Sequence, residues 1–240
     1  METFWTVAIA LCSAILLSIG LNPVLIEVST RKGWYEQTNH RTIHTGKIPY
    51  LGGVAIFLAF IVGVVVAEVA APGLRGRLTE TWDELLLFAV CFAAVHYLGL
   101  VDDFINVVAK YKLVVQFAAA AAISLTGHNL EGLQISQDVA ISFGPASHII
   151  TILWLVGVSN AVNLIDGMDG LSGCASATAA LFYGVTFVLL GNVHSAVIAF
   201  ALLGGIVGFL LFNWPQAKIF MGDNGALFLG FALASLPFFE

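Results

Sequence analysis

LGGVAIFLAFIVGVVVAEVAA (Leu51–Ala71) is an apolar run broken only by Glu68 near its end, long enough to cross the hydrocarbon of a bilayer as one helix. Comparable runs lie near 4–26, 84–101, 111–126, 148–165, 174–191, 194–212 and 224–239, several at the short end for a span. The chain of 240 residues is 59% hydrophobic and only 10% charged, more apolar than a soluble globule of this size can bury. The sequence therefore predicts an all-α polytopic membrane helix bundle with about eight transmembrane helices. The first run lacks a basic n-region, so it reads as a span and not as a cleavable signal peptide. No soluble domain, low-complexity linker or tandem repeat interrupts residues 1–240, which read as a single integral-membrane domain. Cys12, Cys91 and Cys174 are scattered inside apolar segments without metal or disulfide spacing, and read as small core residues.

Charge sets the orientation. The connection after the first run carries Arg31, Lys32, Arg41 and Lys47, that after the third carries Lys110 and Lys112, and Lys218 follows the seventh. Odd-numbered connections thus hold seven of the nine Lys and Arg, leaving only Arg75 and Arg77 to the even ones. By the positive-inside rule the odd connections are cytoplasmic and the N-terminus faces outward. The polar clusters fall on the same connections: HTGKIPYLGG (His44–Gly53), GLVDDF (Gly99–Phe104), NAVNLIDGMDGLSG (Asn160–Gly173) and MGDNG (Met221–Gly225). Topology alone gathers all four on one membrane face.

Asp102 and Asp103 follow an apolar helix directly, so each is either a solvated helix end or cap, or a ligand to a cation. Lys112 and Gln116 share a helical face, and Lys112 can point toward the same mouth. Asn160, Asn163, Asp166 and Asp169 recur every three residues, roughly on one side of a helix end, before Gly167, Gly170 and Gly173 loosen the backbone. Their D-G-x-D-G core lacks the remaining ligands of a calcium loop. Asp223 reads equally as the cap of the last helix or as a metal ligand. With Asp102 and Asp103 it could supply hard oxygens for Mg²⁺, or Mn²⁺, completed by water and substrate phosphates. Arg41, His44 and Lys47 offer cations to an anionic ligand, or anchor the first connection to the membrane surface. Carboxylates for a cation, lysines for phosphate and amides for a polar ligand on one face point to phosphoryl transfer at a membrane, with a lipid as acceptor.

These four clusters, in this order and on these connections, resemble the polyprenyl-phosphate N-acetylhexosamine-1-phosphate transferases, and HTGKIPYLGG is closer to the undecaprenyl-phosphate N-acetylglucosamine-1-phosphate branch than to the phospho-N-acetylmuramoyl-pentapeptide branch. The resemblance covers the chain from about residue 40 onward. It implies transfer of a sugar-1-phosphate, GlcNAc-1-phosphate first, from a UDP-sugar to undecaprenyl phosphate, with release of UMP and a need for Mg²⁺. The setting implied is the plasma membrane, with a multi-pass chain and a cytoplasmic active site making the first membrane intermediate of an envelope polysaccharide. By the same comparison, Asp223 looks like the metal-binding aspartate, and Asp102 and Asp103 like the pair assigned to metal binding or to deprotonation of the lipid phosphate. Lys112 matches the lysine after that pair, and His44 and Lys47 lie in the matching first-loop motif. Asn160, Asn163, Asp166 and Asp169 would contact nucleotide or metal-linked groups, while Phe220 is placed like an aromatic that stacks on uracil. The partners implied are a UDP-sugar and a polyprenyl phosphate, with no nucleic acid and a homodimer allowed. Family members continue through further spans and a histidine-rich loop, so the resemblance also implies a chain lacking the family's C-terminal helices.

Two other classes fit less well. An ion-coupled transporter would place its carboxylates near mid-span, whereas these cluster at one interface. An intramembrane aspartyl protease would leave Lys112 and the Asn-rich cluster without a role.

Overall fold

A computed structural model describes residues 2–35, 48–71, 82–136 and 139–239. Each of the eight apolar runs is a helix: α1 (Glu2–Lys32), α2 (Gly52–Ala70), α3 (Trp82–Ile105), α4 (Ala109–Leu125), α5 (Ser147–Ile165), α6 (Leu171–Leu190), α7 (Val193–Asn213) and α8 (Gly222–Ser235). All but α4 and α8 are long and apolar enough to cross a membrane. The fold is the all-α membrane bundle that composition predicts. A two-stranded antiparallel hairpin between α4 and α5, β1 (Gly132–Gln134) and β2 (Ala140–Ser142), is an addition to the sequence-based expectation.

The run at 224–239 is apolar for a different reason from the others. α8 has 14 residues, about 21 Å at 1.5 Å per residue, against roughly 30 Å of hydrocarbon. Every residue from Asn224 to Ser235 is buried, under α2, α3 and α5. A helix apolar on all sides is here a core helix wrapped by protein. The Phe228 ring lies 5.1 Å from Phe57, 5.7 Å from Phe60 and 6.0 Å from Phe92, centroid to centroid. Pro237 follows, in a 3₁₀ turn spanning Leu236–Phe238.

α7 is the second centre, 72% buried along its span where α1 is 22% buried, and it packs on α1, α2 and α6. Helices in lipid gain little from apolar burial alone, so close packing of small residues must hold them together. A Cβ at Gly204 would lie 2.5 Å from the Leu11 carbonyl oxygen, and one at Gly208 2.5 Å from Ser18 Cβ. The Ser18 hydroxyl donates to the Gly205 carbonyl at 2.8 Å across the same interface. α2 touches both centres and locks α7 to α8. The described ends of the odd-numbered connections then meet at one end of the bundle.

Candidate active site

Backbone hydrogen bonds build the frame at that end. The Phe220 N–H donates to the Pro49 carbonyl at 2.7 Å, and the Gly52 and Gly53 N–H groups donate to Phe220 and Met221 at 2.9 and 2.8 Å. The start of α2 is thereby laid against the start of α8. Glycine is required for this approach. A Cβ at Gly53 would sit 2.2 Å from the Gly225 nitrogen, and one at Gly99, in the last turns of α3, would sit 2.5 Å from the Asn224 Cα. Gly222 has φ +73°, open to glycine at little cost, and a side chain there would meet the Tyr50 carbonyl oxygen at 2.4 Å.

Consecutive residues on a helix point about 100° apart, so Asp102 and Asp103 face different partners. Asp103 turns to the N-terminus of α8. It accepts from the backbone N–H of Asp223 at 2.8 Å and of Asn224 at 3.1 Å, and from the Asn224 side-chain amide at 2.5 Å. A helix start leaves its first N–H groups without intrahelical acceptors, and here a carboxylate on another helix satisfies two of them. Asp102, itself buried, accepts from the Val107 N–H at 2.6 Å and from Lys112 Nζ at 2.5 Å. Asn106, at φ 51°, ends α3 in the left-handed turn that asparagine tolerates, which doubles the chain back so that Lys112 on α4 reaches Asp102.

The same ammonium lies 3.2 Å from Asp223 Oδ2, and Asp223 Oδ1 accepts from the Asn163 amide at 2.8 Å. Lys112, on α4, therefore bridges carboxylates of α3 and α8, with a fourth helix, α5, closing the group through Asn163. The Lys112 and Asp223 side chains keep 24% and 33% of their exposure, so the group opens to water. Burial works to raise the Asp223 carboxyl, but the Asp102 carboxyl, the Asn163 amide and the Lys112 ammonium outweigh it and hold it below the usual carboxylate range. At the rim, Trp34 and Tyr50 meet Phe104 edge-on, at 5.1 and 5.7 Å. Burial, with the Asp103 charge nearby, pushes the Tyr50 phenol up.

The other expected site residues divide. Asn160 spends both amide hydrogens inside the protein, on Gln116 Oε1 at 2.6 Å and the Val156 carbonyl at 2.7 Å. Asp169 accepts from the Gln216 and Ala217 N–H groups, both at 3.1 Å, and so organises the turn after α7. Asp166 ends α5, its N–H donating to the Asn163 carbonyl at 3.3 Å. Phe220 is fixed through its backbone by the bonds to Pro49 and Gly52. His44 and Lys47, with Arg41, lie outside the described residues, although the Pro49–Gly53 segment that follows them is docked on α8.

Four residues that sequence reasoning left without a site role also build this end. Gln116, fully buried, ties α4 to α5 through Asn160. Asn213 accepts from the Gly170 N–H at 2.9 Å and donates to the Ile219 carbonyl at 2.8 Å. Asn224 bridges Asp103 and the Tyr50 carbonyl. His96 Nδ1 sits 3.0 Å from the Asn224 carbonyl oxygen, its ring stacked 4.3 Å from Phe57. A polar side chain within or at the edge of an apolar run was the available signal for each.

For a metal, the donor chemistry is hard oxygen. Among the described residues no three Asp, Glu, His or Cys side chains converge on one point. Of the three aspartates expected to share a cation, Asp103 has both oxygens committed to α8. Asp102 and Asp223 are the pair that already face one positive charge, that of Lys112. The part-exposed Asp223 carboxylate beside the buried Asp102 is hard-oxygen chemistry that fits Mg²⁺ or Mn²⁺, which is held by one or two carboxylates, water and substrate phosphates.

Residues 85–239 match the family described as Glycosyl transferase family 4. The chain is 30% identical to the probable undecaprenyl-phosphate N-acetylglucosaminyl 1-phosphate transferase of Bacillus subtilis (strain 168), over 98% of its own length and 63% of that protein's. It is 33% identical to the phospho-N-acetylmuramoyl-pentapeptide-transferase of the same organism, over 92% of its length and 71% of that protein's. To the corresponding transferase of Listeria monocytogenes serotype 4b (strain CLIP80459) it is 35% identical, over 78% of its length and 60% of that protein's.

Proposed function

Because the chain belongs to glycosyl transferase family 4, we propose that it transfers a sugar-1-phosphate from a UDP-sugar to a polyprenyl phosphate at the membrane face where the four clusters meet. The observation that carries this reading is the Lys112 ammonium held between Asp102 and Asp223, with Asn163 on the third side. GlcNAc-1-phosphate to undecaprenyl phosphate is the first choice, supported by the Bacillus subtilis relative of that name. Phospho-N-acetylmuramoyl-pentapeptide is the second, supported by relatives at 33% and 35% identity.

In the reaction, an oxygen of the lipid phosphate attacks the β-phosphorus of the UDP-sugar. The new P–O bond forms as the bond from that phosphorus to the bridging oxygen breaks, and UMP leaves with the bridging oxygen. Both reactants are anions, so the protein must offset their repulsion and align them. Lys112 is the described cation placed to do so. Its position between carboxylates keeps it charged and fixes where it points. Asn163 holds Asp223, and Asp103 fixes the start of α8, so the Asp223 carboxylate is positioned before transfer begins. Asp102 and Asp223 would hold Mg²⁺ or Mn²⁺, and the ion, when bound, supplies charge neutralisation for the diphosphate.

The test uses membranes containing the chain, undecaprenyl phosphate, and UDP-GlcNAc radiolabelled on its β-phosphate. Lipid-linked label that disappears with Asp223→Ala supports the reading. Absence of label with both this donor and UDP-MurNAc-pentapeptide would overturn it, and the donor that labels the lipid decides between the two substrates. Label that is lost on chelation and restored by Mg²⁺ or Mn²⁺ supports the metal, whereas label indifferent to chelation removes it.

A further inference from the structure

Both strands of the β1–β2 hairpin are exposed along their length, so no described part of the bundle covers either face. Leu133 pairs with Ile141, and the Ile135 N–H donates to the Val139 carbonyl at 2.9 Å. Side chains alternate across a strand, so Leu133 and Ile135 share one face with Val139 and Ile141. These four are 59%, 66%, 49% and 48% exposed. Gln134 and Ala140 point to the other face, with Gly132 and Ser142 beside them. One face is aliphatic and the other polar or small.

A hydrogen bond anchors the base of the hairpin to α5. The Leu130 N–H donates to Thr151 Oγ1 at 2.9 Å, and the Phe143 N–H to the Glu131 carbonyl at 2.8 Å. Thr151 lies seven residues inside the membrane-competent segment Gly144–Ile165, about 10 Å below its edge at 1.5 Å per residue. The Phe143–Glu131 pair lies beside the first residue of that segment, so the hairpin starts where α5 enters its membrane-competent stretch. The adjoining surface is equally apolar: Leu125 at the end of α4, and Ile149 and Leu153 on the first turns of α5, are all exposed.

We propose that the hairpin is a membrane-surface anchor, whose Leu133–Ile135–Val139–Ile141 face is embedded in the boundary between acyl chains and headgroups, at the end of the bundle opposite the candidate active site. Its place at the end of the membrane-competent α5 and the exposed apolar residues of α4 and α5 beside it favour lipid as the occupant. A second copy of the chain would need about 800 Å² per partner for a stable interface, well beyond four aliphatic side chains. The hairpin joins the helices that carry Lys112 and Asn163, so the anchor sets the depth of both in the membrane.

The experiment uses the full chain with Cys12, Cys91 and Cys174 replaced by alanine, in nanodiscs of phosphatidylethanolamine and phosphatidylglycerol. An NBD fluorophore is placed by Ile135→Cys or, on the other face, by Gln134→Cys, with Ile141→Cys and Ala140→Cys as a second pair. At positions 135 and 141 the emission should shift to the blue, be quenched by lipids carrying a shallow nitroxide, and resist aqueous iodide at least about fivefold better than at 134 and 140. Equal iodide quenching on both faces would overturn the proposal. So would protection that appears with two chains per disc and vanishes with one, which would assign the face to a second copy.

Discussion

Asp102 and Asp103 are neighbours in sequence, yet the structure gives them different work, and substitution should separate them. Asp103→Ala removes the acceptor of three donors: the N–H of Asp223, the N–H of Asn224 and the Asn224 side-chain amide. A hydrogen bond to a charged group contributes about 1.5–3 kcal/mol. The three share one carboxylate and are not independent, and Asp223 retains access to water, so roughly half their gross value, about 2–4.5 kcal/mol, is the expected loss. In a chain of this size that lowers the melting temperature by roughly 10 °C. Asp103→Asn keeps an acceptor but loses the charge at a helix start, and should cost about 1–2 kcal/mol. Asp102→Ala frees Lys112, which is partly exposed and can take up water, so its stability loss should stay near 1–2 kcal/mol while transfer is lost. Intrinsic-fluorescence melting in detergent, paired with the lipid-transfer assay, measures both. An Asp103→Ala protein that melts within about 2 °C of the parent, with Asp102→Ala far below it, would refute the assignment of Asp103 to the α8 N-terminus.

Three further outcomes follow from the geometry. Lys112→Met should lower transfer about 10²–10³-fold, with Lys112→Arg recovering part of it, as read in the radiolabel assay; full activity in Lys112→Met would remove the lysine from the reaction. Gln116→Leu and Asn160→Ala, which break the same α4–α5 hydrogen bond, should be non-additive in melting, with a coupling of about 1 kcal/mol in a double-mutant cycle. Gly99→Ala drives a Cβ to 2.5 Å from the Asn224 Cα and should reduce the folded fraction by size-exclusion chromatography, whereas Gly20→Ala on α1, with nothing within 4 Å, should be neutral or stabilise by about 0.5–1 kcal/mol.

The class of fold was legible because it rests on composition and run length. The four polar clusters were legible because charge is rare in this chain. The division of labour within them was hidden, since it depends on which direction a helix face points once packed. Asp103 reads like its neighbour until α8 is seen to begin beside it. Asn160 and Asp169 look like ligand-facing groups, yet their partners are Gln116 and the turn at Gln216–Ala217. Hydropathy treats 224–239 like the other runs, because it records apolar character and not whether lipid or protein surrounds it. The hairpin was passed over because its strands are only three residues long, although Leu133-Gln134-Ile135-Ser136 alternates as a strand should.

The enclosure of α8 has a consequence for biogenesis. Seven described helices leave the ribosome before it, and the groups it will meet on Gly53, Gly99 and Ser159 must wait with a slot between them. Contacts between residues this distant in sequence close late, after the entropy of a long loop has been lost. During insertion that slot is therefore a transient binding site for any apolar helix, including one from a neighbouring nascent chain. The glycines that admit α8 so closely also act as a gauge, because a helix with bulkier residues at positions 222 and 225 would be turned away.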